Sequence, residues 1–250
     1  MAIKTKTTSK SINANIKSKT MKTRIPALLA MTGALVLVAC TIIMPIIMPI
    51  LNEFLLENLH LSYEDYQSFA MVIGLLDLIL TSISLCLIAV HFVFSIKKHA
   101  IPSILALAGI LVMLVIFWLV EIVFVMGVFA YPQGVYHVVW IVRSMLALLG
   151  MLLLSVYFVA SFKEHKVSSV LALAGIFLYV LCSMCIMFQN SVYAVVGIEN
   201  IYQSDTFLTV IISTVIPAFI NFASTFVWVM MAAAFAVRLI WPGQSVQQAN

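Results

Sequence analysis

Three formally charged side chains lie within long apolar runs of this sequence: Asp77, Glu121 and Arg143. An ionised side chain near the centre of a bilayer costs about 2.5–3.5 kcal/mol on insertion scales, so such residues are rare within membrane spans. Those that occur line substrate or ion pathways, relay protons, or pair with one another. The three charges therefore predict either a polar pocket or an ion-pair cluster within a membrane.

The positions of these charges along their runs predict that the side chains meet. Glu121 and Arg143 stand about six and five residues from the ends of two consecutive runs, which is roughly 8–9 Å deep at 1.5 Å per residue. Asp77 lies roughly 14 Å deep by the same rise, and it precedes Arg143 by 66 residues, which is also the offset of an internal repeat. We expect these three side chains, with Asn221 of the last run, to form a polar pocket in the outer half of a helix bundle.

Two main interpretations of the three charges remain open, beside snorkelling of the charged groups to the membrane interface. In the first, they line a substrate pocket or a proton or ion pathway, with one acid as the carrier. In the second, Arg143 pairs with Glu121 and Asp77 and holds three helices together, and nothing passes. Because two acids face one base, the net charge is −1 when all three are ionised. One acid is therefore expected to keep its proton or to meet a cation.

Prolines within the first and last apolar runs predict irregular helices. Pro45 and Pro49 lie in the first run, and Pro217 lies in the last. A proline cannot donate to the carbonyl four residues back, so the helix kinks and that carbonyl needs another partner. We expect kinks at all three positions. Broken helices beside a buried charge can form a binding site at membrane depth, and repair of the kinks by packing is the alternative.

All four cysteines lie within the apolar runs: Cys40, Cys86, Cys182 and Cys185. None is available for an extracellular disulfide framework. The motif Cys182-Ser-Met-Cys185 places two thiols on one helix face, so a membrane thiol oxidoreductase is a further alternative. Such enzymes relay electrons through additional loop cysteines, which this sequence lacks.

A second interpretation of Cys40 concerns processing. The residues Leu37-Val38-Ala39-Cys40 resemble the lipobox of a bacterial lipoprotein signal peptide, in which the cysteine is lipidated and the preceding segment is removed. A lipidated cysteine is normally followed by a polar tether, whereas Thr41 to Leu51 continue the apolar run. We therefore expect an uncleaved helix with a buried Cys40, and the intact mass of the purified protein distinguishes the two.

The sequence contains no motif of soluble-type catalysis. P-loop, G-x-S-x-G, H-E-x-x-H and dinucleotide-binding patterns are absent, and the five histidines do not pair at metal or haem spacing. The sequence therefore favours a protein that is not an enzyme and that holds neither a cofactor nor a metal.

The composition defines the elements that must position these residues. Of 250 residues, 64% are apolar and 9% are charged, against about 45–50% and 25% in soluble domains. This balance excludes a water-soluble domain and, with it, a nucleic-acid partner. Because about 20 apolar residues cross a bilayer, the sequence predicts an all-α, polytopic membrane protein with six transmembrane helices, over residues 26–51, 68–94, 101–127, 138–160, 168–189 and 208–237.

The basic residues predict the orientation. Seven of the 13 precede the first helix, and Lys97, Lys98, Lys163, Lys166 and Arg238 fall on the same side. By the positive-inside rule both termini are cytoplasmic. We expect a disordered basic tail over 1–24, a transmembrane domain over 25–238 and a cytoplasmic tail over 239–250. The absence of an N-x-S/T sequon favours a bacterial plasma membrane.

An internal repeat divides the chain into helix hairpins. Residues 89–110 and 155–176 match at 13 of 22 positions without a gap, and Ile25 to Gly33 parallel Ile101 to Gly109. We predict three hairpins in the same orientation. Repeats of this kind build alternating access in many transporters, whereas their small residues also allow close helix packing.

These observations leave two main hypotheses about function. The first is a small transport protein, or a non-catalytic membrane subunit of a transport complex, with a polar pocket of Asp77, Glu121, Arg143 and Asn221. The second is a structural or assembly subunit that acts by protein contact. In both, the partners are the lipid bilayer and other membrane subunits or further copies of the chain.

Overall fold

A computed structural model describes residues 4–54, 63–125, 133–197 and 207–241, and the regular structure within these ranges is entirely helical. Six helices are long and apolar enough to cross a membrane, so the chain is a multi-pass membrane protein. The first five helices are α1 (Lys4–Glu53), α2 (Tyr63–Ser95), α3 (Ala100–Val125), α4 (Gln133–Ala160) and α5 (Lys166–Val196). The sixth, α6, consists of Phe207–Val210, a π-helical turn at Ile211–Val215, and Ile216–Ile240.

Residues 4–24, for which the sequence predicts disorder, instead form the first part of α1. The helix runs through Pro26 into this segment, and no Gly or Pro lies between Lys4 and Ile25. The helix also continues past Pro45 and Pro49, where kinks stay a prediction. Residues 1–3, 55–62, 126–132, 198–206 and 242–250 lie outside the described residues.

Two short turns join helices at one end of the bundle, which we call the turn end. The turn at 96–99 links α2 to α3, and the turn at 161–165 links α4 to α5. In the first, His99 N–H donates to the Ser95 carbonyl at 2.9 Å, and in the second His165 N–H donates to the Ser161 carbonyl at 3.0 Å. Both turns therefore reverse the chain through the same backbone bond at a Ser-x-x-x-His sequence.

The six helices form a closed ring. Each helix packs against its neighbours in the sequence, and α6 also packs against α1. The interior is occupied by a buried cluster whose largest members include Phe92, Phe158 and Phe235, while many large apolar side chains on all six helices face outward. An outward apolar surface suits lipid, so polar groups that enter the ring must be accommodated by other helices.

Three glycines set the close approach of consecutive helices. A Cβ built on Gly33 of α1 would lie 2.5 Å from the Ser84 carbonyl oxygen of α2, and one on Gly175 of α5 would lie 3.0 Å from the Val227 oxygen of α6. A Cβ on Gly109 of α3 would overlap the Gly150 carbonyl oxygen of α4. Small residues permit such packing between membrane helices, and any larger residue here would separate them.

Candidate functional site

A cavity of about 430 Å³ lies between the helices, and all six contribute side chains to its lining. On each helix the lining residues lie away from the turn end, in the middle or far half of the span. Aromatic rings, hydroxyls and thiols share the lining with three of the predicted pocket residues: Asp77, Arg143 and Asn221. The packed interior near the turn end therefore gives way, farther along the bundle, to a largely apolar cavity that carries a few polar and charged side chains.

Asp77 enters the cavity from α2 and meets α1. The Cys40 thiol of α1 and the Arg143 guanidinium lie near enough to act electrostatically on its carboxyl. The Asp77 side chain is half-buried.

Arg143 enters from α4 and stacks on aromatic rings. Its guanidinium carbon lies 4.4 Å from the centre of the Trp140 ring and 5.2 Å from that of Phe117 on α3. Such cation–π contacts are worth about 0.5–2 kcal/mol, the larger values where the cation is desolvated. The rings hold the cation at the cavity wall and join α3 to α4.

The π-helical turn of α6 explains how the chain tolerates Pro217. In a π turn the carbonyl of residue i accepts from the N–H five residues on, and for Ile212 that residue is Pro217, which has no N–H. The side-chain amide of Gln189 on α5 donates to the Ile212 oxygen at 3.0 Å instead. Asn221 follows one turn later, exposed at the cavity wall. The freed carbonyl is thus satisfied by a neighbouring helix.

The other predicted site residues have different positions. The side chain of Glu121 lies outside the described side chains, so its contact with Arg143 stays a prediction. Pro45 lines the cavity. Cys182 also lines it and is buried, Cys185 is half-buried, and both thiols are free. Within the described residues, no three His, Cys, Asp or Glu side chains are grouped to hold a metal ion.

A second polar cluster, at the turn end, was not predicted. Arg238, which the sequence assigns to topology, is buried with 5% of its surface exposed. Its Nε donates to Ser168 Oγ, its Nη1 to Tyr157 OH and its Nη2 to Ser161 Oγ, each at 2.7 Å. The guanidinium also lies over the Tyr157 and Phe158 rings. One side chain of α6 therefore holds α4 and α5 together.

His91 connects this cluster to α2. Its Nε2 lies 3.3 Å from Arg238 Nη1 and 3.2 Å from Tyr157 OH. Because a guanidinium only donates, Nε2 must accept, so the His91 proton is on Nδ1, an assignment inferred from the hydrogen bonds. Tyr157 OH in turn donates to Ser95 Oγ at 3.0 Å. We call His91, Ser95, Tyr157, Ser161, Ser168 and Arg238 the Arg238 cluster.

Charged groups at the two turns surround this cluster. Glu164 accepts from Lys98 Nζ at 2.6 Å and from His99 Nε2 at 3.2 Å. Partial burial raises the pKa of Glu164, but the bonds and charges of Lys98 and His99 outweigh it and bring the pKa below its usual value. Burial, aided by the charge of Arg238, lowers the pKa of His165 to about 4.

The repeat contained a signal for the cluster. Its offset relates His91 to Tyr157 and Ser95 to Ser161, and all four side chains contact one another or Arg238. Polar residues retained at equivalent positions of two apolar repeats indicate a shared buried position. The sequence contains no such signal for Arg238. A basic residue near the end of an apolar run is typical of an orientation signal, and nothing in the pattern distinguishes that role from a buried one.

The fold and the cavity define the class: a multi-pass membrane protein whose described residues form six long apolar helices around a largely apolar cavity with a few polar and charged groups. Comparison of the chain with protein-family models, curated proteins and solved structures finds no match. Its function is therefore inferred from the site itself.

Proposed function

We propose that this protein is a small transport protein, or the solute-binding membrane subunit of a transport complex. The observation that carries the proposal is the cavity of about 430 Å³, to which all six helices contribute and which Asp77, Arg143 and Asn221 line. Ligand pockets have about this size and place a few polar groups in an otherwise apolar wall. Contact with a solute would explain why the chain keeps the charges of Asp77 and Arg143 at a depth where lipid disfavours them.

The proposed orientation has both termini in the cytoplasm of a bacterial cell. The lysines at both turns support it, since Lys97, Lys98, Lys163 and Lys166 lie at the turn end. We propose that the cavity, whose lining residues lie away from the turn end, opens toward the outside and that the Arg238 cluster closes the cytoplasmic side. An opening on one side and a closed polar layer on the other is the arrangement that alternating access requires.

The proposed moving units are three repeated hairpins, α1–α2, α3–α4 and α5–α6. In support, Gly33, Gly109 and Gly175 occupy matching positions in the repeat, and each lies against the second helix of its own hairpin. Tight packing within a hairpin favours its movement as one body. Exposure of the cavity to the other side would then come from movement between hairpins.

Labelling of native thiols tests whether the cavity is accessible. Cys40 and Cys182 line it, whereas Cys86 lies exposed on the outer surface, where lipid is expected. A variant that keeps only Cys40 should react with a membrane-impermeant cationic methanethiosulfonate added to the outside of intact cells. A matched variant that keeps only Cys86 should not react. If the Cys40 variant folds but resists the reagent from either side, the cavity is sealed and the proposal fails.

The assembly alternative is favoured by one observation, the stacking of Arg143 on rings of both α3 and α4. If the charges only hold helices together, Arg143→Ala should reduce the folded yield, and Glu121→Gln should partly restore it. If they serve a solute, Asp77→Asn and Glu121→Gln should abolish binding or transport at normal expression. Full activity after Cys182→Ser and Cys185→Ser would exclude the thiol oxidoreductase alternative.

Partners of the chain are also a proposal. A bundle of this size that lacks a catalytic motif fits a role within a larger assembly, with other membrane subunits or with further copies of itself. The outward apolar side chains of all six helices offer surface for such contacts as well as for lipid. Mass measurement of what co-purifies in mild detergent tests this, and an isolated monomer would contradict it.

A further inference from the structure

The imidazole of His91 is a buried basic group that the proposed solute site does not use. It is 7% exposed and lies within hydrogen-bond distance of both Arg238 and Tyr157. We propose that His91 is a proton-binding site, and that a proton bound to its Nε2 releases Arg238 and lets the turn end of the bundle open. This inference rests on the proposed function for its consequence, because an opened turn end serves a solute only if the cavity holds one.

The hydrogen bonds of His91 require a neutral imidazole. Its Nε2 lies 3.3 Å from Arg238 Nη1 and 3.2 Å from Tyr157 OH. A guanidinium has donors alone, so a proton on Nε2 would set two donors against each other. It would also place two positive charges at hydrogen-bond distance in a buried site, where like charges repel strongly. Uptake of one proton from water at Nε2 is therefore incompatible with the bond to Arg238.

The second ring nitrogen of His91 provides an independent observation. Nδ1 is buried, carries the ring proton in the assignment above, and has no hydrogen-bond partner within the part of the chain that the structure describes. A buried donor without an acceptor costs about 1–3 kcal/mol. Separation of the helices would admit water to both nitrogens. The open state therefore suits a protonated ring, in which both nitrogens are donors.

The surroundings of His91 offer no compensation for a second positive charge. Among the described residues, no acid forms a hydrogen bond or an ion pair with His91, and Glu164 is bound to Lys98 and His99 of the first turn. The titratable and charged groups that the packed elements direct toward this end are Arg238 of α6, Tyr157 of α4, His165 and His99 at the two turns, and the exposed Arg24 of α1.

A difference in proton affinity between two states couples opening to pH. A ligand that binds one state better shifts the population toward that state, and here the ligand is a proton. In the closed cluster Nε2 is occupied, whereas an imidazole in water takes up a proton near pH 6.5. Below that pH, each unit should raise the ratio of open to closed molecules by up to about tenfold. By reciprocal linkage, a solute that favours opening would draw a proton to His91.

The distance between two spin labels at the turn end measures opening of the full chain in lipid nanodiscs. In a protein whose native cysteines are replaced by serine, the labels are attached through Val159→Cys of α4 and Ile240→Cys of α6. Both positions are exposed, and each is two residues from a member of the Arg238 cluster. A population at longer distance should grow about tenfold relative to the closed one between pH 6.5 and 5.5. Distances that stay unchanged from pH 8 to 5.5 overturn the proposal.

Two kinds of variant assign the pH response to one imidazole. His91→Gln keeps an acceptor for Arg238 but takes up no proton, so the response should vanish while the turn end stays closed. His91→Asn provides the same comparison if gel filtration shows His91→Gln to be misfolded. His165→Gln is the matched control, because burial and the charge of Arg238 lower the pKa of His165 to about 4, which is below the range measured. A response that persists without His91, or that disappears in His165→Gln, overturns the assignment.

The outcomes separate this inference from the proposed function, because the spin labels report opening in the absence of solute. If the distance responds to pH through His91 but Cys40 resists the impermeant reagent from both sides, the proton site stands and the transport proposal fails. If Cys40 reacts from the outside and the distance does not respond to pH, the transport proposal stands and the proton site is overturned.

Discussion

At the scale of single residues, the turn end places a buried cation, Arg238, close to a titratable imidazole, His165. Arg238 is buried among hydroxyls and rings, and His165 lies near enough for that charge to act on its imidazole. Burial and the neighbouring cation both oppose a second positive charge, so the folded state keeps His165 neutral. In the unfolded chain His165 can be protonated without this cost. The free energy of unfolding therefore depends on pH.

His165→Gln should make the stability less dependent on pH. Because folding lowers the pKa of His165 from 6.5 to about 4, the unfolded state binds more protons between these values, and stability should fall as the pH drops through that range. Glu164 adds to this loss at the acid end, because its lowered pKa stabilises the fold only while the carboxyl is ionised, and that stabilisation is lost as the pH falls from 4.5 through the lowered pKa. Thermal unfolding in detergent from pH 4 to 7 measures the slope.

Lys163→Gln is the matched control, because Lys163 is exposed in the same turn. It should leave the pH dependence unchanged. A slope between pH 6.5 and 4 that is the same in His165→Gln and in the unmodified protein would contradict the assigned protonation state.

At the scale of the helices, two features shape the packing: glycines that allow two helices to lie close together, and a π turn that accommodates a proline. Glycines let the backbone of one helix contact the next, and a π turn with a donated side-chain amide accommodates Pro217. Both act between neighbouring helices rather than within one. A substitution on one helix should therefore change the stability of its contact with the neighbouring helix, which unfolding experiments can measure.

Gly175→Leu should separate α5 from α6. A Cβ there already approaches the Val227 oxygen to 3.0 Å, and a leucine needs more space than the helix pair can provide without moving. We expect a destabilisation of about 1–3 kcal/mol, the usual cost of overpacking, measured as a lower unfolding temperature. The neighbouring Ala174 is exposed, so Ala174→Leu should have little effect. Equal effects of the two variants would show that the close approach at Gly175 does not matter.

Gln189→Leu should destabilise the protein through a specific carbonyl. Loss of the donor leaves the Ile212 oxygen without the bond seen at 3.0 Å, at a cost of about 1–3 kcal/mol for a buried group. In a Pro217→Ala background residue 217 regains its N–H, which can donate to this carbonyl. Gln189→Leu should then cost less, and a double-mutant cycle measures the difference. Additive effects of the two substitutions would contradict the role assigned to Gln189.

The molecule as a whole contains two polar layers inside one closed ring. Asp77 in the cavity and His91 in the Arg238 cluster are separated by roughly 21 Å along α2 at 1.5 Å per residue. Between the layers the interior is apolar and aromatic, with Phe92, Phe158 and Phe235 at the cluster. If transport alternates between sides, the Arg238 cluster is the layer that must separate.

Arg238→Gln should open the turn end of the bundle. Loss of the guanidinium removes the bonds to Tyr157, Ser161 and Ser168 at once and weakens the contact of α6 with α4 and α5. In inverted vesicles, the protein that keeps only Cys40 should react faster with the impermeant reagent when it also carries this substitution.

Arg24→Gln provides the comparison, because Arg24 is exposed. Gel filtration in detergent confirms that each variant is folded. If the Arg238 variant is folded and Cys40 is no more reactive than in Arg24→Gln, the cluster does not close this side.

Three residues that line the cavity could be singled out in the sequence because their signals are local. Asp77, Arg143 and Asn221 stand out in apolar runs, and depth along a helix follows from counting residues. Arg238 could not be assigned in this way, since a basic residue at a helix end serves equally well as an orientation signal. The helicity of residues 4–24 was also not predicted, because a composition rich in Lys, Thr and Ser favours disorder.

The sequence by itself determined the membrane class and the six helices, because hydrophobic length is a property of each segment alone. Only the tertiary structure decided how each helix is rotated and which side chains meet. That rotation brings Asp77 and Arg143 to one cavity, directs Gln189 to the Ile212 carbonyl and buries Arg238 among hydroxyls from two other helices. These contacts depend on packing between segments distant in the chain, which no local pattern specifies.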